Sequence, residues 1–442
     1  MDFISRLFGF QKTAQQPDIP FGRFSDAYKS DAQQQSFDRS LEAFEQGEYL
    51  KAYRDFLIFL KDEDAKVPNI TWQETEDEIR FELWQGSQHI TGFANAEKVK
   101  AESKVARADD LNVGFMRRLM EANFNLKFSR FALDADNNIS IVFDTRTSDG
   151  SPLKILHALR ELAIHADKQD DLLLSEFAML HPSEERDHGN ISDTEKEVKY
   201  AYIHRSIEAA FAEIDKGKPD PNTYPGSYAY LLLALAFRLD YLIKPEGFMM
   251  DLLEKVYAAY FTKNNLTPQV KVQQMRREFQ TLLDRPKAEF FKEMYRTRST
   301  FGANPAVPHG TFASFIGGEL ANMEWPIQQG HDALAFAVTQ YVTGFTLFHQ
   351  APPKPDREFL HLFFQISEST FFRELGFHIP FTDAAGRLQK AEILKEIKHI
   401  VERNRAQYTR LRPNTNSLDF ASYTLFGKSF LLMLKDLDLT KE

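Results

Sequence analysis

Apolar residues recur with a period of two over one stretch of this chain and with a helical period almost everywhere else. That division limits the fold more than any other feature. Past Pro68, Ile70 and Trp72 alternate with polar neighbours, and Ile79, Phe81 and Leu83 do so again in EIRFELW. Such alternation lines one face of a half-buried strand. Gln85-Gly86-Ser87 reads as a turn into a third strand ending at Phe93, and residues 99–105 as a fourth, weaker one. Asn112 is placed to cap a helix bearing Phe115, Met116, Leu119 and Met120. Residues 128–133 and 139–143 form two more strands joined by DADNN, a turn of short polar side chains. Pro152 opens a helix whose apolar stripe is Leu153, Leu156, Leu159, Ala163 and Ile164. The economical fold is α+β, an antiparallel sheet half-covered by helices. In it Phe131, Leu133, Ile141 and Phe143 make the core with Trp72 against them. Ser140 and Val142 point to the opposite, mixed face, where a partner would pair.

Around this sheet the chain divides into further segments. Residues 1–36 read as a flexible arm, rich in glutamine, serine and proline after its first ten residues. Residues 37–66 read as a helical hairpin bent at Gly47 and leading into the sheet domain at 67–182. A polar stretch at 183–197 reads as a linker. From 198 to 442 the pattern is helical throughout, broken at KPDPNTYPG, FGANPAVPHG and APPKP, which predicts an all-α domain. The loop at 298–310 is long enough to serve as a lid.

Composition removes several function classes. There is no cysteine among the 442 residues, so disulfides, thiolate metal sites and thiol nucleophiles are excluded. A formal charge of -10 argues against nonspecific nucleic-acid binding. MDFISRLFGF lacks the organisation of a signal peptide and reads as an arm packed on the protein body or simply frayed. The two most apolar runs, 228–237 and 333–348, are short of a bilayer span and read as buried helices. A cytoplasmic protein without an integral membrane segment is expected.

Common catalytic and nucleotide motifs do not occur: no G-x-G-x-x-G after a strand, no Walker loop, no H-E-x-x-H and no G-x-S-x-G. The metal alternative rests on two E-x-x-H strings, Glu358 with His361 and Glu396 with His399. Each sets a carboxylate and an imidazole on one helix face, and di-iron bundles use two such units. The polar stripe Glu358, His361, Gln365 and Glu368 reads instead as a solvated face, with no metal and no cofactor. Arg403, Arg405 and Arg410 crowd ERNRAQYTRLRP around Tyr408 and form a candidate partner-binding patch.

The segment from about 38 to 180 resembles the YbjN family. The likeness lies in the leading helix, the tryptophan-bearing strands, the two-strand unit RFALDADNNISIVFD and the closing helix SPLKILHALRELAIHAD. These bacterial proteins share the fold of type III secretion chaperones of the Tir-chaperone class. The resemblance implies a non-enzymatic, protein-binding adaptor, often a homodimer, with no catalytic residues and no cofactor. It covers about a third of the chain and leaves the helical part unplaced.

Overall fold

The computed structural model describes residues 16–22, 29–62, 67–109, 113–177, 179–183, 189–302 and 306–441. A mixed α/β domain is followed by a largely helical one. Helices α1 (Asp31–Glu45) and α2 (Tyr49–Leu60) form the hairpin, and Gly47 turns it at φ +79°. A Ser30–Gln33 capping box starts α1 within the segment expected to be a flexible arm. Strands β1 (Ile70–Glu74), β2 (Glu78–Gln85), β3 (Gln88–Asn95) and β4 (Lys98–Ala108) run as an antiparallel meander. Helix α3 (Val113–Asn125) then leads to β5 (Arg130–Leu133) and β6 (Asn138–Arg146). The sheet order is β1-β2-β3-β4-β6-β5, so β4 is central and longer than its weak pattern predicted.

Register explains the core. Phe81, Gly92, Ala101 and Phe143 form one row across four strands. A Cβ on Gly92 would sit 2.2 Å from the Phe81 ring, so glycine is required beneath it. Helix α4 (Pro152–Glu176), capped by Ser151, lies over this face with Ile155, Ala158, Leu159, Leu162, Ala163 and Ala166 buried. The expected stripe is thus out of phase. Leu153 is half exposed, and alanines bring the helix close to the sheet. Leu133, expected in the core, is also exposed, because it closes a four-residue edge strand.

Strand β7 (Leu180–Pro182) pairs with the end of β4, and helix α5 (Asp193–Asp215) begins inside the stretch read as a linker. The helical domain continues through α6 (Pro225–Ile243), α7 (Gly247–Phe261), α8 (Pro268–Asp284), α9 (Lys287–Lys292), α10 (His309–Leu320) and α11 (Glu324–Gln328). It ends with α12 (Asp332–His349), α13 (Lys354–Ser367), α14 (Ser369–Glu374), α15 (Lys390–Asn404) and α16 (Tyr423–Lys435). Helices α6 and α12 pack together at its centre. A Cβ on Gly344 would lie 2.7 Å from that of Phe237, so the small residue sets their close approach. Among the described residues, α6 alone is long and apolar enough to cross a bilayer, and 72% of its apolar window is buried inside the protein.

The two domains are joined by more than the covalent link. After α9 the chain runs extended along the β2–β3 hairpin, where Gly86 N–H donates to the Arg298 carbonyl at 2.7 Å. Gln85 Oε1 accepts from the N–H groups of Thr300 and Phe301, each at 3.0 Å. The Thr300 hydroxyl donates to the carbonyls of Trp84 and Asn69, and the Phe301 ring enters the sheet-domain core. The start of the loop considered as a lid is therefore a clasp. Residues 16–22 of the expected arm also have a place: Ile19 and Phe21 pack on the helical core, and Gly22 N–H donates to the Tyr241 carbonyl. The first ten residues lie outside the described ones.

Candidate functional site

Two places qualify for attention, one per domain. In the sheet domain, Ser140 and Val142 occupy the outer face of β6 and are each 8% exposed. Val142 lies between Glu102 on β4 and Arg130 on β5, and Ser140 between Lys104 and Ala132. Long charged side chains cover much of this face, as their aliphatic stems do on apolar surface.

The accessible apolar surface lies beside it, on α3. Phe115 and Leu119 point inward, whereas Val113, Met120 and Phe124 are 86%, 71% and 91% exposed, with Met116 on the same side. Spacings of three and four residues make these four a single stripe. Sequence periodicity grouped Met116 and Met120 with the inward pair, because α3 is apolar on both faces. The helix is held in place by its polar end. Asn123 Oδ1 accepts from Phe131 N–H at 2.6 Å, tying α3 to the edge strand β5. Glu161 on α4 accepts from the N–H groups of Lys127, Phe128 and Ser129 at 2.8–2.9 Å. Burial raises the Glu161 carboxyl, but these bonds outweigh it and hold the group below its ordinary range. Phe128, Leu133 and Leu153 add exposed apolar surface in the neighbouring segments.

The second place is a cleft of about 380 Å³ in the helical domain, bounded by α6, α13, α15 and the segment carrying Phe21. Here the expected solvent-facing stripe of α13 turns inward. Glu358, His361 and Gln365 line the cleft, and Glu396 and Arg403 of α15 complete its rim. His361 Nδ1 is 2.8 Å from the Tyr241 hydroxyl, with Phe21 and Phe372 rings against it. This burial pushes the imidazole down to about 4, so it is neutral near pH 7. Glu368, the last member of the stripe, bonds Arg238 at 2.8 Å and Gln340 at 3.0 Å. That pairing sits at the break between α13 and α14. The missed signal is Arg238 itself. A charge in the middle of an otherwise apolar helix requires a buried partner.

The cleft also bears on the metal alternative. Glu358, His361 and Glu396 line the same cleft, but His399 does not line it and lies 3.2 Å from Glu396 of its own helix. Arg403 stands between Glu358 and Glu396, 3.3 and 3.2 Å from them, in the position a metal cation would need. Among the described residues, no group of three or more His, Asp or Glu side chains is placed to hold a metal ion. Arg403 is thus the cleft's own ion-pair partner, while Arg405 and Arg410 are exposed nearby. Tyr408, read as interleaved with them, is 2% exposed and belongs to the core.

Other buried ionisable groups are committed to structure. His309 meets Asp356 at 2.9 Å, locking the start of α10 to that of α13. Lys199 pairs with Glu195 at 2.9 Å, and Arg296 reaches the same carboxylate from the clasp segment. In comparisons with known proteins, no family model matches the chain and no curated protein does.

Proposed function

We propose that the chain is a non-enzymatic, chaperone-like adaptor of the cytoplasm that binds proteins through the α3–β5 face, and that a second copy of the chain occupies this face. The observation that carries the reading is the exposed stripe of Val113, Met116, Met120 and Phe124 on an ordered helix. Large contiguous apolar surface is unusual on a monomer and marks contact surfaces. The stripe is also self-complementary. In an antiparallel pairing of two α3 helices, Val113 meets Phe124 and Met116 meets Met120. Arg117 and Glu121, which pair within one helix at 2.9 Å, would then also face each other across the two-fold axis. The resemblance to the YbjN family and the secretion chaperones supports the same reading.

Light scattering on the full chain tests it. A dimer is expected at about 100 µM, and Phe124→Asp should give a monomer with an unchanged circular dichroism spectrum, since it sets a charge on a desolvated contact. Arg117→Glu should weaken the dimer, and Arg117→Glu combined with Glu121→Arg should restore it. A monomeric wild type, or a Phe124→Asp variant that stays dimeric, would overturn the self-association.

A further inference from the structure

The helical-domain cleft carries chemistry that the adaptor reading does not use. Its volume of about 380 Å³ falls within the range of pockets that enclose small organic molecules. Its apolar walls include the rings of Phe21 and Tyr241, whose planes lie 24° apart, and Leu362 and Ile400. Such walls favour a flat, apolar body.

The polar groups fall into two sets. The charged set balances: Arg357 and Arg403 face Glu358 and Glu396, and Arg403 is shared between both carboxylates. An ionic ligand would meet as much like charge as opposite charge on these walls. The neutral set is different. The Tyr241 hydroxyl engages His361 Nδ1 at 2.8 Å, which leaves Nε2 to meet a ligand as donor or acceptor according to the tautomer. Among the described residues, neither His361 Nε2 nor the Gln365 side-chain amide has a protein partner, and neither is sealed from the cleft they line. Gln365 follows His361 by four residues, so the two stand together on one face of α13. A glutamine amide offers a donor beside an acceptor, and it reads a heterocycle edge with the reverse pattern in a bidentate manner. His361 Nε2 adds one more donor or acceptor, and the imidazole carries no charge near neutral pH.

We propose that this cleft binds a small, net-neutral, planar heteroaromatic molecule of nucleobase type. Its ring lies against Phe21 and Tyr241, and its hydrogen-bonding edge meets His361 Nε2 and the Gln365 amide. Neither a metal ion nor a free anion suits the site, the first because Arg403 holds the carboxylates and the second because the carboxylates hold Arg403.

Calorimetric titration of the full chain with adenosine, guanosine, cytidine and uridine, and with their 5′-monophosphates, tests the proposal. At least one nucleoside should bind with a Kd on the order of 0.1 mM, an affinity typical for a ligand of that size. Its monophosphate should bind no tighter. His361→Phe and Gln365→Leu should each weaken binding by about tenfold or more, while Arg405→Ala should leave it unchanged. Should His361→Phe fail to fold, Gln365→Leu decides alone. Absence of binding by all four nucleosides at about 5 mM would overturn the proposal. So would undiminished affinity in Gln365→Leu, or a monophosphate about tenfold tighter than its nucleoside, which would make the cleft an anion site.

Discussion

The sheet domain and the helical domain dispose of their apolar residues differently. Among the described residues thirteen large hydrophobic side chains stay exposed; eight belong to the sheet domain, and most of those lie on α3 or in the segments beside it. The five in the helical domain are Tyr224 before α6, Phe261, Leu266 and Val270 around the α7–α8 connection, and Leu432 on α16, and no single helix face carries them. Scattered apolar residues are ordinary on any protein surface, whereas a continuous stripe is not. The helical domain shows the converse. Its unsatisfied character is polar and concave, in a cleft whose imidazole and amide face inward. One domain therefore offers a surface for another polypeptide, and the other a hollow for something small.

Four experiments bear on that contrast. The largest effect is expected from Phe143→Ala in the sheet core and Phe279→Ala in the helical core. Both rings are buried, and each loss should cost about 3–5 kcal/mol in chemical denaturation. Phe124→Ala, the same change on the α3 stripe, should stay within about 0.5 kcal/mol when measured at about 1 µM, where the chain is monomeric. Equal losses at Phe124 and Phe143 would mean that α3 is packed on both sides. Next in size is Gln85→Leu, which strands the N–H groups of Thr300 and Phe301 in a buried junction. Roughly 2–4 kcal/mol should be lost, at about 1–2 for each orphaned group. The melt should broaden into two transitions, and one unchanged transition would remove the clasp from the account.

A smaller effect follows from pH. His361 is held down to about 4 in the folded protein, below the ordinary histidine value of 6.5. Between these values the unfolded chain binds the extra proton, so stability should rise with pH through that window and be lost as pH falls through it. The contribution is at most about 2 kcal/mol, because the cleft that the ring lines admits water. His361→Gln should flatten the wild-type slope between pH 4 and 6.5, and an unaltered slope would place the imidazole in water. Smallest of all, Arg405→Ala on the exposed end of α15 should change stability by less than about 0.5 kcal/mol by the same denaturation assay.

Much of the sheet domain was legible in the sequence, and the reason is local. Alternation in EIRFELW and in residues 139–143 assigned faces correctly, since a strand with one buried face fixes its own register. The same signal failed at Leu133, because period two says nothing of where a strand ends. It failed in α4 because the phase was taken from leucines, while Ala158 and Ala166 are what let the helix approach. On α3 no reading could choose between two apolar faces without knowing where the sheet lay. The cleft was less legible still. The E-x-x-H strings named Glu358, His361 and Glu396, yet the residue that gives His361 its setting, Tyr241, is 120 positions away. The two carboxylates of the metal reading pair with Arg403, which was visible in the sequence but assigned to a separate patch.

The crossing of Phe21 onto the helical domain has a consequence for how the chain comes together as it is made. Phe21 packs against Tyr241, His361 and Phe372, with the whole sheet domain lying between them in sequence. On a ribosome adding about 5–20 residues per second, Phe372 emerges on the order of 20–70 s after Phe21. The sheet domain has ample time to assemble its strands in that interval, while residues 16–22 wait without their partners. Closure of the helical core over Phe21 is therefore a late event that joins the two ends of synthesis, and a nascent chain halted before α13 should leave this segment open to protease.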